Sequence, residues 1–146
     1  MKKDGNQIQI CVDFRCLNVV TIKDPFPIPF TDTILEEVAR HEMYSFMDGF
    51  SGYNQISIVE EDKLKTTFVV ENGVYAYNQM PFGLCNAPVT FQKIILHIFD
   101  KMLVGNFRAF VDDWSIFSGH DNHLATLKEC MERCQRARLA LNPKKC

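Results

Sequence analysis

The sequence predicts an α+β fold, helices on one face of a mainly antiparallel sheet. Three observations lead there. Phe91, Ile94, Ile95, Ile98, Phe99 and Met102 repeat at the helical period. Phe107–Val111 and Trp114–Ser118 are strand-like runs separated only by Asp112-Asp113, the spacing of a tight hairpin. Further strand-like runs elsewhere end in turn residues, and no internal repeat or low-complexity tract interrupts them.

Element by element, Ile8–Phe14 follows an Asp4-Gly5-Asn6 turn and alternates imperfectly, predicting a hairpin strand. The three prolines of residues 24–29 remove donors and fix φ, so that stretch reads as an extended connector. Thr33 and Glu36 have capping-box spacing, and Ile34, Leu35 and Val38 predict a short helix through about Ala39. Met43–Met47 reads as a buried strand with Asp48 at its tip. Gln55–Val59, Thr66–Val70 and Val74–Met80 look like strands, the last two joined by Glu71-Asn72-Gly73. Asn86 or Ala87 caps a helix with Pro88 in its first turn, and Gly105-Asn106 ends it. A last helix, about Asn122 to Ala137, is expected to bury Leu124, Leu127, Met131 and Cys134 before Asn142-Pro143 stops it.

Composition narrows the functional classes. With 146 residues, 47% hydrophobic and 23% charged, the chain is expected to form one domain with a real core. Net charge is -2, so no overall basic signature announces a nucleic-acid binder, and such a role must rest on local residues. The six cysteines form no C-x-x-C pair, and Cys130 and Cys134 with His120 and His123 fit no common zinc spacing. No targeting signal follows the basic start, and no apolar run approaches the roughly 20 residues that span a membrane.

The chemistry points to carboxylates. Adjacent Asp112 and Asp113 repel at a hairpin tip, where Asn-Gly or Asp-Gly makes a better turn. A hard divalent cation resolves that conflict, although a solvated tip is the commoner meaning of such a pair. Asp48 closes a second apolar strand and precedes Gly49, whose missing side chain permits close approach. If that strand lies beside the hairpin, three carboxylates meet at one sheet edge, as two-metal phosphoryl transfer requires.

The string from Met80 to Gln92, MPFGLCNAPVTFQ, resembles the signature of gypsy-type LTR retrotransposon reverse transcriptases. Residues 11–15, 47–55, 65–68, 110–113 and 141–146 carry the family's other motifs in the family's order, so the resemblance covers nearly the whole chain. It implies a polymerase palm, a ferredoxin-like antiparallel sheet with helices on one face, plus part of the fingers in about 1–40 and 55–85. It implies RNA-directed DNA polymerase activity: nucleotidyl transfer from a dNTP to a primer 3′-hydroxyl on an RNA or DNA template. Asp48, Asp112 and Asp113 are then catalytic and hold two Mg²⁺, with Mn²⁺ as a substitute. Lys2, Gly49, Tyr53, Phe82 and Gly83 are then nucleotide-binding, Tyr53 as the aromatic gate against a ribose 2′-hydroxyl. The thumb, RNase H and integrase segments of a Pol polyprotein are expected as further partners, and cytoplasmic particles as the location.

Two departures qualify the match. Gln9 stands where the family usually has an arginine on the triphosphate, and Phe110 where tyrosine is commoner. The chain is expected to stop before the primer grip and thumb, and to be inactive or weak alone. The alternative is a decayed remnant that keeps the fold and weak nucleic-acid or partner binding. A strand-platform RNA-binding module is disfavoured by the aspartates and the net charge. Another two-metal nucleotidyl transferase or cyclase is disfavoured by the Met80–Gln92 string.

Overall fold

The computed structural model describes residues 2–3, 7–8 and 11–146, with side chains from residue 11 onward except at position 31. The chain divides into two compact units, Met1–Asp24 with Tyr53–Ala87, and Pro25–Gly52 with Pro88–Cys146.

The second unit contains a three-stranded antiparallel sheet in the order β3-β7-β6: β3 is Met43–Asp48, β6 Phe107–Phe110 and β7 Asp113–Ser118. Directly paired residues share a sheet face. Met47 opposite Trp114, and Phe107 opposite Ile116, therefore turn one apolar face inward. Helices α4 (Ala87–Ile98) and α5 (His123–Ala137) supply its cover. Phe91, Ile95, Phe99, Phe107, Trp114 and Ile116 are almost wholly buried there, Phe99 stacking on Phe107 at 4.2 Å between centroids. Helix α5 is tied to the sheet by His123, whose ring nitrogens lie 2.9 Å from the hydroxyls of Ser45 and Ser118. Arg133 joins the helices, donating to the Ile98 carbonyl at 2.9 Å.

Among the described residues the first unit has two short antiparallel strand pairs, β1 (Lys2–Lys3) with β2 (Gln7–Ile8), and β4 (Phe68–Val70) with β5 (Gly73–Tyr75). Segments 56–58 and 78–80 run alongside each other through single bonds, including Met80 N–H to the Ile56 carbonyl at 2.8 Å. Helix α1 (Arg15–Val20) is pinned by Asn18, which donates to the Gly83 carbonyl at 2.7 Å and accepts from Cys85 N–H at 2.9 Å.

The α+β class and most elements agree with the sequence reading, and the differences have physical reasons. Residues 11–14 are not strand: Phe14 starts α1, an unanticipated helix with no buried residue, held through Asn18. Residues 9–10 lie outside the described residues. Helix α2 is Thr31–Val38 with Phe30 at its N-cap, so Thr33 is inside it and no capping box forms. Gln55–Val59 is not a strand: a 3₁₀ turn covers Gly52–Gln55, and helix α3 occupies Glu60–Lys63. Three acidic residues in the first turn of α3 suit its positive end. Strand pairing at Thr66–Val70 starts only at Phe68, because Leu64–Thr66 is a 3₁₀ turn. Val74–Met80 pairs regularly only to Tyr75. Helix α4 ends at Ile98, and its apolar stripe continues through turns to Met102. On α5 the buried positions are His123, Cys130 and Cys134, whereas Leu124 is 78% exposed and Met131 half-exposed. The helix starts at His123, and this imidazole, not Leu124, faces the sheet.

Among the described residues no helix is long and apolar enough to cross a membrane. Phe99→Ala is expected to lower unfolding free energy in urea by about 3–5 kcal/mol. Leu124→Ala should change it by less than about 0.5 kcal/mol.

Candidate functional site

Backbone register builds the site. Phe110 pairs with Asp113, so the β6–β7 loop is Val111-Asp112, and Asp113 is the first residue of β7 rather than part of the tip. Asp113 faces Asp48 across the β3–β7 pair. Gly49 extends that ladder by one bond, its N–H donating to the Asp112 carbonyl at 3.0 Å. The condition set by the sequence, that the strand ending in Asp48 lie beside the hairpin, is met.

The tip is strained. Val111 has φ of 54°, the left-handed region that a β-branched residue rarely adopts, at a turn position that ordinarily takes glycine. Such backbone costs on the order of 1–3 kcal/mol and persists only where the surroundings enforce it.

The carboxylates sit in different environments. Asp48 is 8% exposed; its Oδ2 accepts from Lys145 Nζ at 2.7 Å and its Oδ1 from Asn142 Nδ2 at 3.4 Å. Residues 140–142 run along the end of β3, with Phe50 N–H donating to the Ala140 carbonyl and Asn142 N–H to the Asp48 carbonyl, both at 2.9 Å. Asp113 is exposed. Asp112 Oδ1 is buried and accepts no hydrogen bond. Burial, then the charges of Asp48 and Asp113, push the Asp112 carboxyl above its ordinary proton affinity, and Lys145 partly opposes them. Lys145 in turn holds its proton more tightly, chiefly through its bond to Asp48 and also through the other two aspartates.

Register thus gathers three acidic residues at one end of the sheet. As the side chains stand, among the described residues no three His, Cys, Asp or Glu are grouped to hold a metal ion. Asp48 is turned to Lys145, while Asp112 packs so closely on Gly52 that a Cβ there would overlap its carboxylate.

The remaining predicted residues fall in two groups. Gly49 adjoins the aspartates, close to Phe91 and Trp114. Tyr53, Phe82 and Gly83 belong to the first unit, where Tyr53 and Phe82 meet edge-to-face at 5.1 Å. Gly83 has φ of 98°, a conformation that favours glycine, and a Cβ there would touch Phe14. Lys2 lies in β1, but its side chain is outside the described residues, as is Gln9. Asn86 does not cap α4 with its side chain. Instead it accepts from Asp24 N–H at 3.1 Å and donates to the Ile22 carbonyl at 2.9 Å.

Sequence reasoning passed over Gly52, Gln92, Asn142 and Lys145. All four lie within the motif segments, and Gln92 carried a further signal, a polar residue beside Phe91 in an otherwise apolar helical stripe. Lys145 lies in the 141–146 motif, but that motif gave it no partner, because nothing local aims residue 145 at residue 48.

An antiparallel sheet flanked by helices, with acidic residues closing its central hairpin, defines the architecture of a polymerase palm and fingers. The reverse transcriptase (RNA-dependent DNA polymerase) family model matches residues 1–146, and the chain belongs to that family. It is 36% identical over 143 residues to the retrovirus-related Pol polyprotein from transposon 297 of Drosophila melanogaster, covering 97% of this chain and 14% of that one. The Pol polyprotein from transposon gypsy of the same organism is 35% identical over 127 residues, covering 84% of this chain and 12% of that one. The chain therefore spans a small part of these relatives. In fold it resembles the foamy viral protease-reverse transcriptase, solved with ds DNA, at a TM-score of 0.87 and 20% identity, covering 97% of this chain and 25% of that one.

Two outcomes test this geometry. A carboxyl with raised proton affinity binds more protons folded than unfolded, so stability falls as pH rises from its ordinary value of 3.8 through the folded value. Asp112→Asn is thus expected to raise the melting temperature at neutral pH, the gain vanishing below about pH 3.8, in thermal scans across pH. Gly52→Ala, which drives a methyl against Asp112, should lower unfolding free energy by about 1–3 kcal/mol.

Proposed function

We propose that this chain keeps the fold of a reverse transcriptase core while, standing alone, it does not carry polymerisation. Its own contribution is then weak binding of nucleic acid or of a partner segment. The observation that supports this is the Asp48–Lys145 ion pair, which places an ammonium group on the carboxylate that a divalent cation would need. The lineage we infer is gypsy-type, on the strength of the Met80–Gln92 string, since transposon 297 and transposon gypsy match about equally well.

A second reading is favoured by a separate observation. Asp112 Oδ1 is a buried acceptor with no donor, next in sequence to Asp113, which register sets opposite Asp48. Such a donor set fits a hard cation such as Mg²⁺ or Mn²⁺. In this reading Asp48 and Asp112 hold the cations, with Asp113 as a weaker ligand, once Lys145 releases Asp48. Bound there, the cations would supply charge neutralisation for nucleotidyl transfer from a dNTP to a primer 3′-hydroxyl. The Gly49 backbone lets a ligand approach, and Lys2, Tyr53, Phe82 and Gly83 would contact the nucleotide. Template, primer and the thumb, RNase H and integrase segments of a Pol polyprotein complete the working enzyme, in cytoplasmic particles.

Mn²⁺ titration followed by NMR line broadening separates the readings. Under the first, wild type and Asp48→Asn/Asp112→Asn respond alike. Under the second, wild type binds and the double variant does not. Lys145→Met is then expected to bind about two- to fivefold more tightly, the worth of an ion pair whose lysine is exposed to solvent; unchanged affinity would remove Lys145 as the competitor.

A further inference from the structure

We infer that Gln92 is a positioning residue that clamps the strained hairpin tip and so aims the Asp112 carboxylate. As a statement about aim at a cation, this rests on the metal-binding reading; as a statement about the clamp, it stands on geometry alone.

Gln92 is 0% exposed, in the second turn of α4 between the core residues Phe91 and Ile95. Its Oε1 accepts from Val111 N–H at 2.7 Å, and its Nε2 donates to the Ala109 carbonyl at 2.9 Å. The orientation of the amide follows from its partners, because a backbone N–H only donates and a carbonyl only accepts. From the other side Trp114 Nε1 donates to the Val111 carbonyl at 2.9 Å. Both backbone polar groups of the residue at φ 54° are therefore held by side chains of the buried core.

The chemistry selects glutamine. The position needs an acceptor and a donor at the end of a four-atom reach, for backbone groups two residues apart, one in β6 and one in the loop after it. Methionine matches the length and volume with neither function. A glutamate carboxylate offers acceptors only and would bring charge into the core. Loss of the clamp frees Val111 to leave the left-handed region, and Asp112, the next residue, turns with it. Beside Gly52 and the Asp48–Asp113 pair, a rotated carboxylate no longer presents its buried oxygen.

Amide hydrogen exchange by NMR on the full chain tests the clamp. In wild type the Val111 amide should exchange at least ~100-fold more slowly than an unprotected turn amide; free exchange would overturn the proposal without any variant. In Gln92→Met, protection at Val111 should fall at least ~10-fold more than at Ile116 in the core ladder. A parallel fall at both, the signature of general destabilisation alone, would also overturn it. Asparagine enters the left-handed region more readily than valine. Val111→Asn should therefore reduce the effect of Gln92→Met on the folding constant at least ~5-fold in a double-mutant cycle, and strict additivity would count against the clamp. Mn²⁺ alone is the probe of aim. Affinity should drop ~10-fold or more in Gln92→Met and partly return with Val111→Asn. If wild type binds no Mn²⁺, the metal-binding reading and the aim fail together, while the exchange arm still decides the clamp.

Discussion

The pairing of β3 with β7 is the constraint on which the second unit rests. Met47 faces Trp114 on the covered side of the sheet, and one residue further along Asp48 faces Asp113 on the other. A slip of one residue would turn every side chain of β3 to the opposite face, placing a carboxylate in the core and Met47 outside. Apolar packing of Trp114, Ile116, Phe107 and the two helices opposes such a slip. Hydrophobic burial thereby forces together like charges that would otherwise separate.

That electrostatic tension is unevenly relieved. Asp48 has Lys145 and Asn142, Asp113 has solvent, and Asp112 has a buried oxygen with no donor. Val111 adds backbone strain at the same tip. Charge and strain are held at one end of a well-packed sheet, and they are stable there because Gln92 and Trp114 anchor Val111 from within the core. Local rules of turn chemistry and charge pairing are both violated at this tip, which is the pattern expected of a functional site.

Legibility in the sequence followed the locality of the forces. The β6–β7 hairpin and helix α4 were readable because their apolar residues recur at the period of the element they form. Strand β3 was legible only as a short apolar run, in which Tyr44 and Phe46 prove exposed rather than buried, and α5 was legible as a helix but not in which face it buries. The three aspartates were readable as a candidate cluster because each ends or begins an apolar run. Helix α1 was not readable: it buries no residue of its own and depends on Asn18 reaching Gly83 and Cys85, more than sixty residues away. Gln55–Val59 looked like a strand, but its bonds to residues 78–80 are too few to make a ladder.

By itself, then, the sequence determined the α+β class, the periodic elements and the order of the family's motifs, since period, turn chemistry and motif order are properties of neighbouring residues. Tertiary structure alone decided which side chains answer the three carboxylates. Lys145 reaches Asp48 because the chain after α5 runs along the end of β3, and Gln92 reaches Val111 because α4 lies across the hairpin. Both contacts join residues that no local pattern relates, and hydrogen bonds of that kind exist only after the core has packed.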